Sequence, residues 1–110
     1  MKLLRSTLPL LALASSVCLA ADDIQPARLY QENCLTCHGP DRLGAMGPAL
    51  LPQNLERLKK AEALNVVRNG RAATQMPAFS PKLSAEQTLA LVDYLYTAPP
   101  VEPTWGEAQI

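Results

Sequence analysis

The sequence contains few of the features that mark several common classes of protein. It has one histidine, three cysteines and five glycines, and its ten basic side chains are balanced by ten acidic ones. A neutral balance argues against a nucleic-acid partner, because phosphate backbones are bound by surplus Lys and Arg. The sequence shows no internal repeat, no strand-like alternation and no low-complexity run. A length of 110 residues is enough for one small domain.

The long apolar run of the chain lies at the N-terminus and is too short to span a membrane. It covers Leu8 to Val17 and is broken by a proline, whereas a spanning helix needs about 20 apolar residues. Lys2 and Arg5 precede the run, and the triplet Cys18-Leu19-Ala20 supplies the small residues of a cleavage site. This pattern predicts that residues 1–20 are a cleaved export signal and that the mature protein is periplasmic.

Cys18 has an alternative role as a site of lipid attachment. That pathway uses a small residue directly before the cysteine, and Val17 stands there instead. Cleavage after Ala20 removes two of the ten basic side chains and none of the ten acidic ones, so residues 21–110 carry a net charge of −2. We therefore expect no stable membrane insertion of the mature chain.

Two cysteines of the mature chain and its single histidine form one short motif. Cys34-Leu35-Thr36-Cys37-His38 has the C-x-x-C-H spacing of covalent haem attachment. Two thiols on one helical turn can add to the two vinyl groups of a haem, and the adjacent imidazole can then ligate the iron. His38 is the single histidine of the chain and has no competitor for this role. The motif predicts one haem c attached through Cys34 and Cys37, with His38 as an iron ligand.

Three other uses of the motif are possible in principle. A structural zinc site needs four ligands, and the motif offers three with no second cluster. A thioredoxin-like redox pair needs alternating strands and helices around it, which the sequence does not show. A disulfide across two residues would close a tiny loop and stabilise little, and it would not account for the histidine. Haem attachment explains all three side chains.

With this motif, residues 24–98 resemble the small class I cytochromes c. The matching segments, taken in order, are Leu29-Tyr30, Cys34 to Gly39, Gly47-Pro48-Ala49-Leu50, Val67-Arg68-Asn69-Gly70, Met76-Pro77-Ala78-Phe79 and Leu91-Val92-Asp93-Tyr94-Leu95. The resemblance implies an all-α fold of three to five short helices around one covalently bound haem. It also implies that the first and last helices cross near Ala27, Tyr30, Leu91 and Tyr94. Many relatives have glycine in place of Ala27, so this crossing should be slightly wider here.

The resemblance further implies the surroundings of the iron. Met76 would be the second iron ligand. A thioether opposite an imidazole raises the reduction potential of the haem relative to ligation by two nitrogen atoms. Met46 is the other methionine of residues 21–110, but it follows His38 by only eight residues, on the histidine side. The backbone carbonyl of Pro48 would accept a hydrogen bond from the His38 ring. Apolar neighbours would exclude water and help set the potential: Leu43, Leu50 and Phe79.

Capping signals predict the first and last helices. Asp22 and Asp23 can cap a helix that begins near Ile24. The segment Ser84-Ala85-Glu86-Gln87 is a capping box, and the helix it opens should end before Pro99-Pro100. Between them, a helical spacing of apolar residues predicts helical structure at Leu55, Leu58, Ala61 and Leu64. A short helix around residues 64–68 should stop at Asn69-Gly70.

The tail supports a narrower resemblance. Residues 99–110 are rich in proline, and Trp105-Gly106 looks like the segment that joins the cytochrome domain to the propeller in haem d1 nitrite reductases. The whole chain then resembles the cytochrome c55X group associated with denitrification. We divide it into a signal (1–20), a cytochrome c domain (21–98) and a tail (99–110). Trp105 either packs on the domain, offers a docking side chain or is disordered.

The function implied is that of a one-electron carrier rather than an enzyme. Its partners would be redox proteins that dock transiently, among them nitrite reductase or the enzymes that mature haem d1. Two alternatives stay open. The chain could be the electron-transfer subunit of a larger redox complex, or a haem sensor or peroxidase with a labile Met76. The second lacks support in the sequence, because no second histidine is present.

Overall fold

The computed structural model describes residues 23–104 and 106–109, and this part of the chain is helical without a strand. Its four α-helices are α1 (Pro26–Asn33), α2 (Leu35–His38), α3 (Lys60–Asn69) and α4 (Ala85–Leu95). Short 3-10 turns cover Pro40–Arg42, Pro52–Asn54 and Glu107–Gln109. The predicted all-α fold is confirmed.

The start of α1 differs from the expected one. Gln25 is the N-cap residue, and no side chain caps the helix. Pro26 occupies the first turn, where its fixed φ suits a helix and its missing N–H is not needed. The expectation that Asp23 caps this helix is therefore wrong, and Asp22 lies outside the described residues.

The capping box of α4 is present as predicted. The Gln87 amide donates to the Ser84 hydroxyl at 3.1 Å, and the Ser84 amide donates to the Gln87 side chain at 2.8 Å. The helix ends at Leu95, before the two prolines. The predicted stop of α3 is also found, because the helix ends at Asn69 and Gly70 follows with a φ of 75°.

The apolar spacing around Leu55 and Leu58 does not form a helix. These residues follow the 3-10 turn at Pro52–Asn54 and lie in turns, and α3 begins only at Lys60. Leu55 is nevertheless buried, and Leu58 packs against the core. At these two positions the apolar spacing therefore indicated burial and not helical geometry.

The core is formed mainly by residues of α1, α3 and α4, together with one residue that precedes α3 and two that follow it. Its buried members are Leu29, Tyr30, Leu55, Ala63, Val67, Phe79, Leu83, Leu91, Val92 and Leu95. The expected crossing of α1 and α4 is present, because the two helices contact each other and the rings of Tyr30 and Tyr94 meet edge to face with centroids 6.4 Å apart. Ala27 lines a small cavity of about 150 Å³ beside these rings. No helix in residues 23–104 and 106–109 is long and apolar enough to cross a membrane.

Candidate haem-binding site

Helix α2 brings the motif residues together. Cys34 ends α1 and precedes α2, and its carbonyl accepts hydrogen bonds from the amides of Cys37 at 3.2 Å and His38 at 2.9 Å. One helical turn therefore places the two thiols on the same side of α2. Both cysteines are half-buried and free. Two free thiols one turn apart fit the two-point attachment of a haem.

Burial controls the acidity of the first thiol. Desolvation raises the pKa of Cys34 to about 11, and the neighbouring Cys37 adds to the shift. The shift reflects the partial burial of this thiol at the junction of α1 and α2.

His38 is held by the loop that follows it. Its Nδ1 lies 2.8 Å from the Pro48 carbonyl oxygen, so this nitrogen donates and Nε2 is the nitrogen suited to bind iron. The hydrogen bond expected from the sequence is therefore present. Gly47 passes directly beside the ring, because a Cβ there would lie 3.0 Å from both Cε1 and Nδ1 of His38. A larger residue at this position would push the ring away from Pro48.

Backbone hydrogen bonds close this loop, which we call the histidine loop (residues 39–50). The Gly44 amide donates to the His38 carbonyl and the Gly47 amide to the Cys37 carbonyl, both at 2.7 Å. Gly39 has a φ of 80°, and a Cβ on it would collide with the Gly44 carbonyl. The hydroxyl of Tyr30, which is 3% exposed, donates to the Gly39 carbonyl at 2.7 Å. The loop is thus fixed to α1 as well as α2.

The buried hydroxyl of Tyr30 has an altered acidity. Burial raises its pKa to about 12, and the nearby Cys34 adds to the shift while Arg42 opposes it. Its hydrogen bond to a carbonyl requires the protonated form, so the tyrosine acts as a neutral donor.

Met76 lies on a second loop, the methionine loop (residues 70–80), which is fixed to α3. The amide of Phe79 donates to the Val67 carbonyl at 3.0 Å, and that of Ser80 to the Arg68 carbonyl at 3.2 Å. Gly70, the first residue of this loop, lies so close to Met76 that a Cβ on it would lie 2.8 Å from the Met76 carbonyl oxygen. Met76 itself is half-buried and packs against the core.

The other predicted residues occupy contrasting positions. Met46 is 78% exposed, unlike Met76. Phe79 is buried in the core, Leu50 packs against it, and Leu43 is half-buried. The described part of the chain holds no group of three or more His, Cys, Asp or Glu placed to bind a metal ion. Trp105 lies outside the described residues.

Sequence reasoning missed Arg42. This side chain is 2% exposed and donates to carbonyls at the end of α4, while its guanidinium lies 4.6 Å from the centroid of the Tyr94 ring. No pattern near Gly39-Pro40-Asp41 marks it, because its partners are more than fifty residues away in the sequence. A single arginine in a loop ordinarily indicates an exposed position.

The fold, the paired thiols and the oriented imidazole together define a c-type cytochrome domain. Residues 21–95 match the family model described as cytochrome C oxidase, cbb3-type, subunit III, and the chain belongs to this family. As a member it carries a covalently attached haem c, and the residues present fit that group.

Three relatives narrow the assignment. The dihydro-heme d1 dehydrogenase of Pseudomonas aeruginosa is 51% identical over 82 residues, which are 74% of this chain and 17% of that protein. The chain thus spans about a sixth of that relative's length. Cytochrome c55X of the same organism is 34% identical over 87 residues, 79% of this chain and 73% of that cytochrome. The solved structure of the c-type cytochrome NirC has a TM-score of 0.61 at 35% identity and covers 64% of this chain and 84% of its own.

These similarities confirm the resemblance to the cytochrome c55X group. The chain is a c-type cytochrome electron carrier related to the cytochromes of denitrification. Its similarity to two small cytochromes over most of their length agrees with an electron-transfer role rather than an enzymatic one.

Proposed function

We propose that this chain is a periplasmic carrier of single electrons whose haem iron is ligated by His38 and Met76. The observation that carries the proposal is the arrangement on α2, where two free thiols one turn apart precede an imidazole oriented by the Pro48 carbonyl. When bound, the haem supplies one iron that alternates between the ferrous and ferric states. The chain supplies attachment, ligands and a dry environment.

Each residue of the motif has a separate task. The sulfur atoms of Cys34 and Cys37 hold the cofactor covalently. His38 offers Nε2 while the hydrogen bond from Nδ1 to Pro48 fixes the ring and increases its basicity. Phe79 belongs to the methionine loop, is buried in the core and helps to keep water from the site.

Burial and loop anchoring support Met76 as the second ligand. A ligand must be held at a constant distance in both oxidation states, and the methionine loop is tied to α3 by backbone hydrogen bonds. Met46 lies in the histidine loop and is exposed, so it lacks the burial of Met76. A thioether held in this way would bind the iron in both oxidation states and limit the reorganisation that slows electron transfer.

The relatives and the N-terminus support the setting of the carrier. Cytochrome c55X and a haem d1 enzyme are among the similar proteins, which favours electron exchange with nitrite reductase or with enzymes that mature haem d1. The N-terminal pattern of Lys2, Arg5 and a short apolar run favours export to the periplasm. Transient docking suits a carrier that must serve a donor and an acceptor in turn.

Optical spectra of the holoprotein test the ligand assignment. The ferric wild-type protein should show a sulfur-to-iron charge-transfer band, and the ferrous protein should not respond to carbon monoxide. The Met76→Ala variant should lose the band, bind carbon monoxide and have a lower reduction potential. The matched Met46→Ala variant should behave as the wild type. A Met76→Ala protein with an unchanged band would refute the assignment, as would the loss of the band in Met46→Ala.

A second candidate function is that of an electron-transfer subunit in a larger redox complex. It is favoured by the higher identity to a segment of a large dehydrogenase than to the small cytochromes, 51% against 34%. Gentle purification from the native host, followed by size-exclusion chromatography, distinguishes the two candidate functions. Co-elution of the haem absorbance with a stable partner supports the complex, and a free monomer supports the carrier.

A further inference from the structure

Arg42 joins the histidine loop to the C-terminal end of α4. Its Nη1 donates to the carbonyls of Tyr94 at 3.0 Å and Leu95 at 3.1 Å, and its Nη2 donates to that of Thr97 at 3.1 Å. Tyr94 and Leu95 belong to the last turn of α4, and Thr97 to the turn after it. The Tyr94 carbonyl also accepts from the Thr97 amide at 3.1 Å and the Thr97 hydroxyl at 2.6 Å. One planar guanidinium therefore binds three neighbouring carbonyls at the end of α4 and in the turn that follows.

The charge of Arg42 is balanced by dipoles. The negative end of the α4 dipole and the face of the Tyr94 ring both favour a cation at this place. Among the described residues Arg42 forms no ion pair with a carboxylate. A buried cation held in this way is costly to displace, so the position of Arg42 relative to α4 is strongly determined.

The backbone of the same residue is part of the histidine loop. Asp41 and Arg42 have φ values of 55° and 63°, so two consecutive residues with side chains adopt the left-handed conformation. The carbonyl of Arg42 accepts a hydrogen bond from the Leu50 amide at 2.9 Å. Leu50 follows two residues after Pro48, whose carbonyl meets the His38 ring.

The unfavourable turn needs an external restraint, and the side chain of Arg42 supplies one. With the guanidinium fixed to α4, the Arg42 carbonyl has a defined place and so has the Leu50 amide. The middle of the loop is fixed to α2, because the amides of Gly44 and Gly47 donate to carbonyls of that helix. Pro48 lies between Gly47 and Leu50, so its backbone is restrained on both sides.

We infer that Arg42 is a positioning residue for the haem iron: it fixes the Pro48 carbonyl against His38 Nδ1 by tying the histidine loop to the end of α4. The inference rests on the proposed ligation by His38. Without the Arg42 side chain, the loop relaxes and the hydrogen bond from the ring weakens. A His38 ring with a weaker hydrogen bond is a poorer donor to the iron and stabilises the ferric state less, so the reduction potential rises.

Proton exchange at the His38 ring tests this inference in the ferrous holoprotein. NMR follows the exchange rate of the Nδ1 proton and, as a reference for global opening, that of the Val67 amide in α3. In the Arg42→Met variant we expect the ratio of the two rates to rise at least tenfold and the potential to increase. Arg42→Lys keeps a cation but replaces the planar fork, whose two terminal nitrogens share the three carbonyls, by a single nitrogen, so its ratio should rise by a smaller factor, at least threefold.

Val92→Ala is the matched control, because it shortens a fully buried side chain of α4 at a residue that does not bind the guanidinium. It should speed both exchange rates in parallel and leave their ratio and the potential unchanged. An unchanged ratio in Arg42→Met would overturn the inference. If Arg42→Met yields no holoprotein, an unchanged ratio of exchange rates in Arg42→Lys would overturn the inference instead. A wild-type His38 ring proton without a haem-induced shift would overturn the proposed ligation itself, and with it the role of Arg42.

Discussion

Replacement of Gly70 should displace the methionine loop from its position on α3. Its φ of 75° and ψ of −178° lie in a region that residues with a Cβ essentially do not occupy. Forcing alanine into this conformation costs about 1–3 kcal/mol. The substitution Gly70→Ala therefore destabilises the protein even before contacts are considered.

Contacts add to this cost. A Cβ on Gly70 would lie 2.8 Å from the Met76 carbonyl oxygen, 2.9 Å from the Pro77 carbonyl carbon and 2.9 Å from the Ala78 nitrogen. All three are backbone atoms, so the loop must shift as a whole. Overpacking of this kind costs about 1–3 kcal/mol. Together the two effects should lower the free energy of unfolding by about 2–6 kcal/mol.

The displaced loop carries Met76, so the variant should also lose part of the bond from sulfur to iron. We expect a weaker charge-transfer band in ferric Gly70→Ala, measured where denaturant titration shows the protein to be fully folded. Gly44→Ala is the matched control, because Gly44 also has a positive φ, of 94°, but its Cβ would meet Ala49 and not the methionine loop. The control should lose stability and keep the band. A Gly70→Ala protein with wild-type stability and a wild-type band would refute this reasoning.

Three further substitutions test other parts of the structure. Gly47→Ala places a Cβ against the His38 ring, so the reduction potential should rise while the charge-transfer band persists; an unchanged potential contradicts this. Ser84→Ala removes the α4 cap and should cost about 1 kcal/mol in urea unfolding with no change in potential. Tyr30→Phe removes the hydrogen bond to Gly39 and should cost about 1 kcal/mol at neutral pH. Because folding raises the pKa of Tyr30 from 10.0 to about 12, its stabilisation is complete below pH 10.0 and is lost as the pH rises towards 12; the phenylalanine variant should lack this alkaline decline.

Features that depend on neighbouring residues were predictable from the sequence. The haem motif, the capping box at Ser84 and the end of α3 at Asn69-Gly70 each result from chemistry within a few residues. The contact between His38 and Pro48 was also expected, but through resemblance to a family and not through local rules. Its presence at 2.8 Å shows how much a known fold adds to a short motif.

Features that depend on distant contacts were not predictable. The spacing of Leu55 and Leu58 suggested a helix, whereas burial of these side chains is achieved in turns. Periodicity reports which side chains are apolar, and several backbone conformations can bury them. Arg42 illustrates the same limit, because its role depends on the end of α4, more than fifty residues further along the chain.

The backbone acceptors at three helix ends share one use. Carbonyls in the last turn of a helix lack partners within it, and here loop residues supply the donors. The carbonyls at the end of α2 accept hydrogen bonds from amides of the histidine loop, and the carbonyls at the end of α3 accept them from amides of the methionine loop. The carbonyls at the end of α4 accept hydrogen bonds from the Arg42 guanidinium.

Both proposed iron ligands are therefore held by hydrogen bonds between loop backbones and helix ends. None of the groups in these bonds gains or loses a proton when the iron changes its oxidation state. In the proposed carrier, loops fixed in this way would hold both ligands in place in either oxidation state, which favours a small reorganisation energy.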